Sequence, residues 1–160
     1  MKATRLGGMA ALVLAIALAT GCGGGVKVTE GEDGEGRLTI TNDDGKQFTL
    51  SGENELPEGF PQDIPMPDGI VVTASTSSDS SGNMTVAIES ELPFDELVKL
   101  YREYADGAGY EETLKMEEEG YYMYSGSRNG GDEVFTFNFA LDQESGDKVG
   151  GALVYDNKPE

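Results

Sequence analysis

Residues 134–141 constrain the fold of this chain more strongly than any other stretch. Every second residue there is apolar, at Phe135, Phe137, Phe139 and Leu141. Successive side chains of a β-strand point to opposite faces, so this spacing predicts a strand with one face that must be buried. Thr136 and Asn138 are expected on the outer face. The chain therefore needs a second apolar surface that covers this strand.

A helix of residues 93–107 is the expected cover. Its apolar residues fall at i, i+3, i+4, i+7, i+10, i+11 and i+14, namely Phe94, Leu97, Val98, Tyr101, Tyr104, Ala105 and Ala108. This spacing places them in one continuous stripe along an α-helix. Pro93 suits the first turn, and Gly107 or Gly109 suits the end. The stripe and the Phe135 face are natural partners.

Further segments have the alternation or composition of strands, at 37–41, 47–50, 70–74, 84–89, 112–116, 121–125 and 150–155. Asp44 and Gly45 predict a hairpin turn between the first two, because glycine adopts the positive φ that tight turns need. The serines between Ser75 and Ser81 have no His to activate them, so we expect a loop. Residues 26–29 are a candidate for one more short strand.

These segments predict an α+β fold with a mainly antiparallel sheet of about five to seven strands and one amphipathic helix packed on one face. From residue 70 the expected order is strand–strand–helix–strand–strand–strand. The 37–50 hairpin is added upstream, and residues 150–155 close the sheet.

Residues 56–69 contain four of the six prolines. Proline cannot donate to a strand ladder, so an ordered extended loop is expected there.

Residues 1–21 have the organisation of a secretory signal. Lys2 and Arg5 make a basic start, and the apolar run that follows is about 15 residues, short of the roughly 20 that span a bilayer as a helix. Small residues then lead directly into Cys22, the single cysteine of the chain. An uncleaved anchor helix, or a simple signal with an incidental cysteine, is the alternative interpretation.

Ala19, Thr20, Gly21 and Cys22, with Leu18 upstream, resemble the lipobox of bacterial lipoproteins. That resemblance implies cleavage before Cys22, a diacylglyceryl group on its thiol and acylation of the new amine by a fatty acid such as palmitate. It also implies a place in the cell envelope, anchored on the extracytoplasmic side of a membrane. Because Gly23 rather than Asp follows, the inner leaflet of the outer membrane is favoured in a Gram-negative host.

The chain after residue 21 is expected to form one folded unit behind a tether. Residues 22–36 are rich in glycine and acidic side chains, which favours a flexible, self-repelling linker. Residues 37–158 are expected to form a single globular domain. The segment FPQDIPMPDG, residues 60–69, resembles one that precedes the first core strand in small, poorly characterised bacterial envelope lipoproteins. That resemblance implies no chemistry.

Charge excludes several classes of partner. Cleavage would remove Lys2 and Arg5, leaving nine basic against thirty acidic residues, a formal charge of −21. The phosphates of a nucleic acid would be repelled by this negative charge, so we expect no binding to nucleic acid.

Two residue types are missing from the chain. It contains no His, which removes the commonest general base and metal ligand, and no Trp, which weakens the case for sugar stacking.

Two groups of residues are candidates for binding. Tyr121, Tyr122 and Tyr124 could form an exposed aromatic contact surface, since Tyr is favoured at interfaces. The alternative is cross-strand aromatic pairing over the core. Asp142, Glu144 and Asp147 could hold Ca²⁺ weakly, or simply belong to a solvated hairpin. We assign no metal ligand, catalytic residue or cofactor.

The sequence therefore predicts a lipid-anchored envelope protein that acts as a binding or interaction module and is not an enzyme. Its expected partners are the membrane, through Cys22, and another envelope protein. One alternative is a carboxylate-based enzyme acting on wall glycans. Another is a surface protein that binds divalent cations weakly.

Overall fold

A computed structural model of the chain describes residues 27–30, 37–142 and 148–157, the first of these ranges by its backbone. Within these ranges the elements follow one another as β1 Lys27–Glu30, β2 Leu38–Thr41, β3 Gln47–Ser51, β4 Ile70–Ser78, β5 Asn83–Ser90, α1 Phe94–Gly107, β6 Glu111–Glu118, β7 Tyr121–Arg128, β8 Glu133–Leu141 and β9 Val149–Asn157. A single 3₁₀ turn, Asn129–Gly131, joins β7 to β8. No helix in these ranges has the length and apolar character needed to cross a membrane.

All the strands form one antiparallel sheet in the order β1-β2-β3-β4-β5-β9-β8-β7-β6. The predicted α+β class, with one helix and an antiparallel sheet, is confirmed. The predicted strand number is wrong, because the described residues contain nine strands rather than five to seven. Four strands follow the helix, at the places that the segments 112–116, 121–125, 134–141 and 150–155 predict. The last of them, β9, lies between β5 and β8 and so joins the two halves of the sheet.

The core lies between α1 and the β8 region of the sheet. Tyr101 of the helix is fully buried, and its ring centroid lies 5.7 Å from that of Phe137 and 5.4 Å from that of Phe139. The predicted pairing of the helical stripe with the Phe135 face is therefore confirmed. The Tyr101 hydroxyl donates to the carbonyl oxygen of Pro65 at 2.7 Å, which fixes the proline-rich loop to the helix.

The β2–β3 hairpin forms as predicted. Gly45 has φ of 77°, and the backbone N–H of Lys46 donates to the side-chain oxygen of Asn42 at 2.8 Å. The strand β1 extends this hairpin by pairing with β2. Residues 27–30 thus belong to the sheet rather than to the predicted 22–36 tether. Cys22 and the predicted signal, residues 1–21, lie outside the described residues.

The expected loop at Ser75–Ser81 is wrong for its first half. Ser75, Ser77 and Ser78 belong to β4, whose backbone pairs with β3 on one side and β5 on the other. A β-bulge lies at Thr73, where the register between β4 and β5 shifts. The bulge adds one residue to β4, so Val72 and Ser75 both lie on the helix side of the sheet. Without it, their odd separation would place them on opposite faces.

Candidate functional site

The three predicted contact tyrosines do not form one exposed surface. Tyr122 and Tyr124 are buried on the helix side of the sheet, and Tyr121 is half-buried on the opposite side. The ring centroids of Tyr122 and Tyr124 lie 5.9 and 5.3 Å from that of Phe137. Cross-strand pairing over the core is therefore the role of Tyr122 and Tyr124. Alternation along β7 explains why Tyr121 cannot join them.

A cation covers the Tyr124 ring. The guanidinium carbon of Arg102 lies 4.4 Å from the ring centroid, and Arg102 donates to a carboxylate oxygen of Glu112 at 2.6 Å. Burial raises the pKa of Tyr124, although the positive charge of Arg102 acts in the opposite direction. Tyr124 is fully buried beneath this cation, so its ring offers no contact surface.

A groove opens beside the buried tyrosines, between the first turns of α1 and the turn that follows β6. Its cavity measures about 500 Å³. We call it the helix groove; its apolar lining is made by Phe94, Val98, Tyr122 and Leu141. Leu141 is 37% exposed, so part of this apolar surface faces solvent.

The rim of the helix groove is acidic. It is formed by Asp95, Glu117, Glu118 and Glu119, together with Lys99. Glu117 contacts Lys115 at 2.8 Å, whereas Glu118 and Glu119 are exposed. The groove thus combines an apolar floor with excess negative charge at its edge.

A second cavity, of about 250 Å³, lies on the helix side of β2, β3 and β4, beside the area that the helix covers. We call it the hydroxyl trough; its floor is made by Thr39, Thr49, Ser51, Ser75 and Ser77. Four further polar residues stand around it, namely Arg37, Gln47, Glu58 and Asp79. Sequence reasoning missed this site, although the alternation of Thr49 with Ser51 and of Ser75 with Ser77 is a visible signal.

A polar cluster lies near the end of α1. Arg128 donates to Glu133 at 2.7 Å and to the carbonyl oxygen of Ala108 at 3.1 Å, and Asn129 donates to Glu133 at 2.6 Å. Burial alone would raise the pKa of Glu133, but these hydrogen bonds and the charge of Arg128 lower it. A carboxyl group with a lowered pKa is ionised at neutral pH and is unsuited to act as a general acid. The geometry favours a structural ion pair.

No group of three or more His, Cys, Asp or Glu side chains that could hold a metal ion occurs among the described residues. Of the predicted calcium candidates, Asp142 is described, whereas Glu144 and Asp147 lie outside the described residues. The calcium hypothesis therefore stays a prediction.

The chain is similar to one family of known domains. A family model described as START domain-like matches residues 70–146, somewhat less than half of the chain. The matched segment begins at β4 and includes α1 and the residues of the helix groove. It leaves out β1, β2 and β3. No curated protein and no solved structure matches this chain.

Proposed function

We propose that this chain is a lipid-anchored bacterial envelope protein whose folded domain binds a segment of a partner protein in the helix groove. The segment would carry apolar residues flanked by Lys or Arg. The observation that carries the proposal is the groove itself, with an apolar floor open to solvent and an acidic rim. Concave apolar surfaces rimmed by polar groups are typical of interaction sites.

Charge complementarity favours a basic partner. The chain carries thirty acidic residues against eleven basic ones, so a basic segment is attracted at long range as well as at the groove. Apolar side chains of the segment would cover Val98 and Leu141, while its ammonium or guanidinium groups would meet Glu118 and Glu119. The START domain-like match includes all four of these residues and favours a ligand-binding role for this part of the chain.

The anchor is the second part of the proposal. A lipidated Cys22 would hold the domain at a membrane, since two or more acyl chains give stable attachment where one does not. The test is labelling of cells with a palmitate analogue, comparing wild type with Cys22→Ser. Loss of label and of membrane fractionation in the variant is expected. Equal labelling of both proteins would contradict the anchor without affecting the groove.

The groove is tested with purified soluble domain and a synthetic peptide of alternating leucine and lysine as the probe. Glu118→Lys with Glu119→Lys reverses the rim charge and should weaken binding about ten-fold at low salt. Asp43→Lys with Asp44→Lys makes the same change in net charge at the exposed β2–β3 turn and is the matched control. Equal weakening by both pairs would mean that overall charge, and not the groove, binds the peptide.

The apolar half of the site needs its own variant. Val98→Asp places a carboxylate on the half-buried floor of the groove and keeps the rim intact. It should weaken peptide binding even at high salt, where the rim contributes little. Unchanged binding at high salt would show that the peptide does not enter the groove.

The two alternatives stay predictions that rest on the sequence. A carboxylate-based enzyme acting on wall glycans needs a general acid with a raised pKa, and the geometry around Glu133 does not favour one. Weak calcium binding near Asp142 is tested by thermal melting with and without Ca²⁺. A melting midpoint that does not move would exclude it.

A further inference from the structure

We propose that the hydroxyl trough is a second binding site, and that it takes a small, uncharged, hydroxyl-rich molecule such as a single sugar unit. It is distinct from the helix groove and is built largely by β2, β3 and the proline-rich loop. Those parts of the chain lie outside the START domain-like match. The proposal therefore rests on the geometry of this chain.

Three neighbouring strands bring the hydroxyl groups together. The backbone register pairs Thr39 with Thr49, Thr49 with Ser77 and Ser51 with Ser75. Since directly paired residues point to the same face, their side chains form one continuous polar floor. The hydroxyl oxygens of Thr39 and Thr49 lie 3.3 Å apart.

Ser75 is the residue that points to a ligand. It lines the trough, is 2% exposed, and its hydroxyl oxygen has no hydrogen-bond partner in the described part of the chain. A buried hydroxyl without a partner costs free energy. The hydroxyl oxygen has almost no accessible surface as placed, so rotation of the Ser75 side chain to another rotamer would turn it towards a ligand hydroxyl in the trough, which would supply the missing partner.

The lining selects the chemistry of the ligand. Hydroxyl groups both donate and accept, and sugar hydroxyls do the same. Glu58 and Asp79 add acceptors at the edge, and Gln47 adds one acceptor and two donors. An apolar ligand would leave these groups unsatisfied. An anion would meet two carboxylates, because Arg37 is already paired with Glu55 at 3.1 Å.

Size and rigidity narrow the ligand further. A cavity of about 250 Å³ is smaller than the roughly 300–1,000 Å³ of pockets for drug-sized ligands, which favours a single ring. The wall is held by backbone hydrogen bonds, from Asp79 N–H to the Gln47 oxygen at 3.1 Å and from Phe60 N–H to the Pro57 oxygen at 3.1 Å. Among the described residues no aromatic side chain lines the trough, so binding without ring stacking should be weak.

The test is a titration of the isotope-labelled soluble domain with glucose and N-acetylglucosamine, followed by amide NMR shifts. At least one sugar should shift the amides of residues 37–51 and 75–79 in a saturable way. Inorganic phosphate and spermidine are the charged comparators and should not saturate there. No saturable shift with either sugar, or tighter binding of a charged probe at these amides, would overturn the proposal.

Variants link the shifts to the trough. Ser75→Ala should weaken sugar binding about ten-fold, the effect of one lost hydrogen bond. Ser90→Ala is the matched control, because Ser90 is also 2% exposed but bonds to Leu92 N–H and does not line the trough. Ser77→Val, which removes a hydroxyl from the half-buried part of the floor, is the second variant. Unchanged affinity in both trough variants would contradict the site.

Discussion

Ser75 and Ser90 are buried to the same extent on the same side of the sheet, yet within the described part of the chain only one of the two hydroxyls is hydrogen-bonded. Each residue is 2% exposed. The hydroxyl oxygen of Ser90 accepts the backbone N–H of Leu92 at 3.0 Å, whereas that of Ser75 has no partner among the described residues. The Ser90 hydroxyl is therefore expected to stabilise the fold, and the Ser75 hydroxyl to destabilise it.

Alanine substitutions should separate the two serines. Ser90→Ala removes the acceptor of the partly buried Leu92 N–H and should lower the free energy of unfolding by about 1 kcal/mol. Ser75→Ala removes a hydroxyl that has no hydrogen-bond partner in the ranges that the structure describes, so stability should stay the same or rise slightly. Urea unfolding followed by circular dichroism measures both. A loss at Ser75 as large as that at Ser90 would mean that the Ser75 hydroxyl has a partner in solution.

The two glycines of β9 should tolerate alanine very differently. A Cβ at Gly151 would overlap the carbonyl oxygen of Asn138 and the ring of Phe139 on the neighbouring strand. Gly151→Ala should therefore cost about 1–3 kcal/mol of stability, the usual range for overpacking. A Cβ at Gly150 would have no described atom within 4 Å, and Gly150→Ala is the control. Thermal melting of the two variants measures the difference, and equal midpoints would contradict the close approach.

Arg128 should matter more for stability than an exposed lysine in a similar ion pair. It contacts Glu133 at 2.6 Å, bonds to the Ala108 carbonyl oxygen and lies 4.6 Å from the centroid of the Tyr110 ring. Arg128→Met should lower the free energy of unfolding by roughly 2 kcal/mol, because Glu133 loses its charged partner, although it keeps Asn129, and the Ala108 oxygen loses its side-chain donor.

Lys148→Met is the control for that variant. Lys148 lies 3.5 Å from Glu89, and both side chains are more than half exposed, so its loss should change stability by less than about 0.5 kcal/mol. Urea unfolding at two salt concentrations distinguishes the two sites. If both variants lost the same free energy, the Arg128 cluster would be no more than a surface pair.

Alkaline pH should destabilise the domain through its buried tyrosines. Burial raises the pKa of Tyr110 to about 12, although the positive charge of Arg128 acts in the opposite direction. Unfolded Tyr ionises near pH 10. The unfolded chain therefore releases this proton first. The contribution of Tyr110 is fully present below about pH 10 and is lost as the pH rises towards 12.

Urea unfolding midpoints measured across this pH window, with tyrosinate absorbance as a second readout, check the expectation. Tyr110→Phe should reduce the steepness of the fall while other buried tyrosines preserve part of it. The variant should fold well, because the Tyr110 hydroxyl is buried without a partner in the described part of the chain. A pH dependence unchanged in this variant would mean that Tyr110 does not titrate within that window.

Much of the secondary structure could be predicted because it depends on local spacing. The spacing of apolar residues from Phe94 to Ala108 indicates a helix without any knowledge of its neighbours in the fold. The alternation at Phe135 and Phe137 likewise indicates a strand with one buried face. The number of strands in the sheet was harder to predict, because local spacing does not show whether the segments upstream of residue 70 join the main sheet. The pairing of β3 with β4 decides that. For the tyrosines of β7 the sequence allowed either an exposed contact surface or pairing over the core. Only the packing of Tyr122 and Tyr124 against Phe137 distinguished the two.

The sequence by itself determined the elements of this protein, its acidic character and the candidate lipid anchor at Cys22. Only the tertiary structure decided which strands are neighbours, and therefore which side chains meet. The insertion of β9 between β5 and β8 and the bulge at Thr73 are examples, since each depends on pairing between distant segments. The hydroxyl trough lies on the helix side of the sheet because that bulge places Ser75, together with its partner Ser51, on the same face as Val72. Local spacing cannot specify such a contact, because the contact is made across strands and not along the chain.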